Sequence, residues 1–170
     1  SAASDVYKRQ IAVACDPAFN FVYEANIRYL HHLGEVTYFS PLADTSLPDA
    51  GFVYLPGGYP ELYLAALSAN RQMLQSIRRY VESGGKLLAE CGGMMYLCDE
   101  IRDKNGYVYP MAGVLHQSAT MENMKLRLGY RTLLYNETRL KGHEFHYSRL
   151  VEQQNPLPSC AVAYLSLIHI

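Results

Sequence analysis

Two apolar segments run straight into paired glycines, FVYLPGG (Phe52 to Gly58) and KLLAECGG (Lys86 to Gly93), with a stretch of helical periodicity from Leu62 to Glu82 between them. Short unbroken apolar runs suit strands buried on both faces, and a helical crossover between two of them makes the strands parallel. The same alternation precedes this unit. IAVACD (Ile11 to Asp16) reads as a strand closed by Asp16 and Pro17. Tyr23 to Leu33 reads as a helix with Gly34 as its C-cap, and Val36 to Phe39 reads as a strand. The pattern predicts an α/β fold: a three-layer, mostly parallel, flavodoxin-like sheet with helices on both faces and ligands at the carboxyl ends of the strands. Beyond Ile101 the pattern changes, and Val114 to Leu115, Lys125 to Tyr135 and His143 to Ser148 read as shorter strands.

At 170 residues one domain is expected. Charged residues make up 18% and the formal net charge is -1, a balance that argues against nucleic-acid or charged-membrane partners. Cys15, Cys91, Cys98 and Cys160 fall at no metal-ligand spacing, and no signal peptide or spanning apolar run accompanies them. No metal site is expected, and the reducing cytoplasm is the simplest location. Asp5 to Gln10 (DVYKRQ) and Leu165 to Ile170 (LSLIHI) can be encoded by reverse-complementary DNA strands. Residues 1–10 and 165–170 are therefore expected to be translated sequencing adaptor, with 11–164 a truncated domain. A longer gene assembly retaining both peptides in one reading frame would overturn this.

LLAECGG sets Cys91 between an apolar strand and a helix, the layout of a nucleophile elbow. A sulfur there meets free amides at a helix N-terminus, which favour thiolate over thiol. YLPGGYPE (Tyr54 to Glu61) brings a second glycine turn to the same sheet edge, so the amides of Gly58 and Gly92 are candidates to hold an oxyanion. In GHEFHYS (Gly142 to Ser148), strand alternation puts Glu144, His146 and Ser148 on one face and His143, Phe145 and Tyr147 on the other. His146 is thus the candidate base and Glu144 the candidate orienting group, while His143 and His146 face apart and do not converge on a metal. Tyr59, Glu61 and Gly93 are candidate substrate-binding residues beside these turns.

FSPLAD, LPGGYPE, AECGGMMYL, MAGVL, LRLGY and GHEFHYS occur in that order. On these motifs the chain resembles the C-terminal glutaminase domain of the cobyrinic acid a,c-diamide synthase family, in the cobyric and cobyrinic branch of class I (triad-type) glutamine amidotransferases. The resemblance makes Cys91 the nucleophile and His146 its base. It implies hydrolysis of the L-glutamine side-chain amide through a thioester, with ammonia passing to an N-terminal synthetase domain that uses ATP and Mg2+ to amidate a corrinoid acceptor. No GxxxxGK[ST] pattern occurs in the chain, so neither ATP nor Mg2+ is expected to bind here. Triad amidotransferases generally carry a glutamate two residues after the histidine. Ser148 stands at that position, as is known for this branch. Two alternatives to the glutaminase are a docking module that keeps the fold without turnover, and another hydrolase with an elbow cysteine.

Overall fold

The computed structural model describes residues 9–135 and 137–151. Four parallel strands, β1 (Arg9–Ala14), β2 (Gly34–Phe39), β3 (Phe52–Leu55) and β4 (Lys86–Ala89), form a sheet in the order β2-β1-β3-β4. Helices α1 (Glu24–Leu33), α2 (Leu64–Ala69), α3 (Arg71–Glu82) and α4 (Gly92–Leu97) connect or follow them. Side chains alternate across the sheet. Ile11, Val13 and Tyr54 meet Ile27 and Leu30 of α1 on one face. Ala12, Ala14, Val53, Leu55 and Ala89 meet Leu67, Met73, Ile77 and Met94 on the other. The strands read as unbroken apolar runs because both faces are covered, and the expected three-layer arrangement holds.

Of the residues assigned to the two tails, Arg9 and Gln10 pair with Gly34 and Glu35 at the start of β1; the others lie outside the described residues. Other sequence expectations are refined or corrected. Gly34 is the C-cap of α1 as expected, its amide donating to Leu30 O, but it is extended with φ -175 and also opens β2, and its glycine identity reflects crowding, since a Cβ there would sit 2.1 Å from the Arg9 carbonyl oxygen. The periodic stretch from Leu62 to Glu82 is broken at Asn70. There the side-chain oxygen accepts from Met73 N as the cap of α3, and the amide donates to Pro41 O and Asp44 O at 2.8 Å each. Asparagine competes with the helix for backbone partners, so the chain restarts at this residue.

The second half forms β5 (Glu100–Arg102), β6 (Val108–Pro110), β7 (Ser118–Thr120), a long hairpin of β8 (Arg127–Tyr135) and β9 (Thr138–His146), and β10 (Arg149–Leu150). β10, β7, β5 and β6 make a separate small sheet, and β8 pairs with β9 alone. Val114 and Leu115, expected as a strand, are a bend whose amides donate to Leu97 O at 2.8 and 3.0 Å. A helix end leaves carbonyls without partners, and this bend satisfies one of α4's. Among the described residues no helix is long and apolar enough to cross a membrane.

Candidate active site

β3 and β4 end side by side, and each turns sharply on glycine. After β4, Cys91 adopts φ 46, ψ -111, a conformation that L residues rarely hold, before entering α4. The surroundings enforce it: Glu90 N donates to Leu55 O at 3.0 Å and Met94 N donates to Cys91 O at 3.0 Å, fixing the chain on both sides. After β3, Gly58 passes so close to the loop behind β1 that a Cβ would lie 2.2 Å from Ala18 O. Tyr59 N donates to that same carbonyl at 3.0 Å, and Phe21 N donates to Gly57 O at 3.1 Å. Both turns are therefore locked in register.

Burial pushes the Cys91 thiol above its ordinary value. The Gly92 amide pulls the other way, the nearby carboxylates of Glu61 and Glu90 add to the rise, and the Gly58 amide again opposes it. Two amides thus reach the sulfur, but their pull is outweighed. The amides pull toward thiolate as expected, but burial and two like-sign neighbours outweigh them.

A cavity of about 120 Å³ opens over the sulfur. Gly58, Tyr59, Glu61, Cys91 and His146 line it, as do Tyr23, Glu90, His143 and Tyr147. Burial raises the Glu61 carboxyl above its ordinary value. Gly93, expected near a substrate, is not among the lining residues. It is buried against β3, where a Cβ would meet Leu55 O at 2.2 Å, and so serves the close packing of helix on strand.

The β8–β9 ladder carries His146 to the cavity at the very end of β9, opposite Arg127. Its Nδ1 lies 2.7 Å from the Ser148 carbonyl oxygen; a carbonyl can only accept, so Nδ1 carries the proton. Its Nε2 lies 3.3 Å from Oε1 of Glu144, which is 4% exposed. Glu144 and His146 therefore share a face, as alternation requires. His143 joins the cavity wall with Tyr23, whose hydroxyl lies 3.3 Å from Nε2. Alternation separates the two histidines only along the strand; beyond His146 the strand ends, and Tyr147 and Ser148 curl back onto the cavity.

Sequence reasoning missed the Tyr54–Glu90 pair. The Tyr54 hydroxyl donates to Glu90 Oε2 at 2.7 Å, and the pair stands between the cavity and an apolar groove on the α1 side of the sheet. A charged residue closing an otherwise apolar strand was the available signal. Cys98 is buried and Cys15 exposed. Among the described residues no cluster of three or more His, Cys, Asp or Glu could hold a metal.

A parallel sheet with a strained cysteine turn and a histidine on one cavity is the architecture of glutamine amidotransferases. The fold superposes on PurLQS from Thermotoga maritima with TM-score 0.62 at 18% identity, covering 87% of this chain and 71% of that one. A solved glutamine amidotransferase aligns with TM-score 0.55 at 19% identity, over 81% of this chain and 70% of that one. The chain belongs to the CobB/CobQ-like glutamine amidotransferase domain family, which it matches over residues 10–167. It is 44% identical over 149 residues to the hydrogenobyrinate a,c-diamide synthase of Pseudomonas aeruginosa, an alignment that takes in 87% of this chain and 34% of that protein. Against the cobyrinate a,c-diamide synthase of Fusobacterium nucleatum it is 45% identical over 146 residues, 82% of this chain and 33% of that protein. The chain thus spans about a third of the length of these relatives.

Proposed function

We propose that this domain hydrolyses the side-chain amide of L-glutamine and supplies the ammonia to an ATP-dependent amidation of corrinoid carboxylates. The observation that carries the reading is a strained Cys91 where the two glycine turns abut, a Cβ on Gly57 lying 3.4 Å from that of Cys91 and one on Gly92 3.3 Å from Gly58 N, with His146 on the same cavity.

In this reading His146 takes the thiol proton as Cys91 Sγ attacks the amide carbon, and the carbonyl oxygen gains negative charge. The two glycine amides hold that oxyanion; one such donor contributes a factor of about 10² to 10³ in rate. Collapse of the tetrahedral adduct breaks the C–N bond, and the imidazolium returns the proton to the departing nitrogen as ammonia. Water, deprotonated by the same imidazole, then cleaves the glutamyl thioester to glutamate and restores the thiol. Glu144 orients the imidazole, and Tyr59 and Glu61 contact the substrate.

The amidation itself belongs to a synthetase domain like those of the longer relatives, where ATP and Mg2+ act and the corrinoid binds. Nothing in this chain resembles a phosphate-binding loop. A cytoplasmic location belongs to the same reading, since the synthetase step draws on ATP. Replacing Cys91 by Ser in the full-length protein should abolish glutamate release from glutamine; undiminished release sinks the assignment. A docking module without turnover is the second reading, favoured by the raised thiol. A glutamine-analogue electrophile separates the two: labelling confined to Cys91 supports the enzyme, and an unlabelled intact protein supports the docking module.

A further inference from the structure

We propose that Glu90 recognises the α-ammonium group of glutamine, with Tyr54 holding its carboxylate in place. This rests on the glutaminase reading and adds a specificity residue to it.

The cavity over Cys91 is lined by the two carboxyl groups of Glu61 and Glu90, and none of its lining residues is Lys or Arg. Such a wall complements a cation, and the α-ammonium is the only cationic group of glutamine. Of the two acids, Glu90 is the one built to stay fixed. Its Oε2 accepts the Tyr54 hydroxyl at 2.7 Å, and no described hydrogen bond goes to Oε1. Burial first, and the Glu90 carboxylate next, push the Tyr54 phenol far above its ordinary value, so Tyr54 remains a donor. Glu61 is the weaker candidate, because burial favours its neutral form.

Position agrees. Glu90 directly precedes Cys91, and its carboxyl turns toward Tyr54 on the α1 side of the sheet, while the sulfur turns toward the Gly58 and Gly92 amides. A ligand whose amide sits at the sulfur reaches Glu90 with its other end. A carboxylate beside a nucleophilic thiol is otherwise unfavourable, since its charge opposes thiolate formation. A bound ammonium neutralises that charge and so removes its opposition to the thiolate.

The test compares glutamine with glutaramate, which carries the same amide without the α-ammonium, in full-length wild type and Glu90→Gln. The glutamine side chain keeps an oxygen for Tyr54. Glutamine kcat/KM should fall about 10- to 100-fold, the range for losing a charge-assisted hydrogen bond. Glutaramate turnover should hold, so that discrimination collapses, and alkylation of Cys91 by neutral iodoacetamide at pH 7 should rise. Tyr54→Phe should shift discrimination the same way, by about 3- to 10-fold. Equal losses on both amides, or no loss on either, overturn the proposal. If wild-type Cys91 neither releases ammonia nor reacts with a glutamine-analogue electrophile, the glutaminase reading itself fails, and the assignment of Glu90 falls with it.

Discussion

Oε1 of Glu144 lies 3.3 Å from Nε2 of His146, two residues along the same face of one strand, and the carboxyl is almost wholly buried. A buried acid against an imidazole restrains the position of the ring. With Ser148 where a triad glutamate would stand, Glu144→Gln should lower kcat about 10- to 100-fold and leave KM for glutamine within about 3-fold. Steady-state kinetics on the full-length protein decide it. A loss confined to KM would mean that Glu144 binds substrate instead.

Cys91 occupies a backbone region suited to glycine. Cys91→Gly should therefore raise stability above that of Cys91→Ala by about 1 kcal/mol, while both are inactive. Denaturant midpoints of the two variants give the comparison. Equal midpoints would show that the turn stores no strain.

The thiol lies above its ordinary value through burial first, with the carboxylates of Glu61 and Glu90 adding to the effect. In the free protein the rate of Cys91 alkylation by iodoacetamide should keep rising through pH 9 rather than level off below it. Removing a negative charge favours the thiolate, so Glu61→Gln should move that profile to lower pH. Peptide-resolved mass spectrometry across a pH series follows Cys91 apart from Cys15. A profile that moves up, or stays, contradicts the electrostatic account.

Asn70 caps α3 and ties it to the turn after β2 through two further hydrogen bonds. Asn70→Ala should cost about 1 to 3 kcal/mol of stability. Thermal or urea unfolding measures this, and a change below about 0.5 kcal/mol would show that solvent replaces the lost partners.

The elbow was legible because its determinants are local: an apolar run long enough for one strand, a cysteine, then glycines. His146 was legible through period-two alternation with Glu144. Other features depend on contacts that the sequence does not order. Apolar spacing continues through Asn70, so periodicity alone passes over the break. Ser118–Thr120 is a wholly buried strand of small residues with no hydropathic signature. Gly93 sits in the motif beside Cys91, yet the Leu55 carbonyl behind it, from another strand, gives it a packing role. The Tyr54–Glu90 bond joins strand ends distant in the chain. The direction of the thiol shift is a balance of opposing influences, of which the motif displays only the favourable half.

The raised thiol of Cys91 has a consequence for survival in a living cell. Peroxides and other oxidants consume thiolates that they can reach, and the half-buried Cys91 has its thiol held above the ordinary value. Cys15, exposed at the end of β1, meets them first. A cysteine whose neutral form is favoured reacts more slowly with oxidants, and a survey of general thiol reactivity would rank Cys91 behind Cys15.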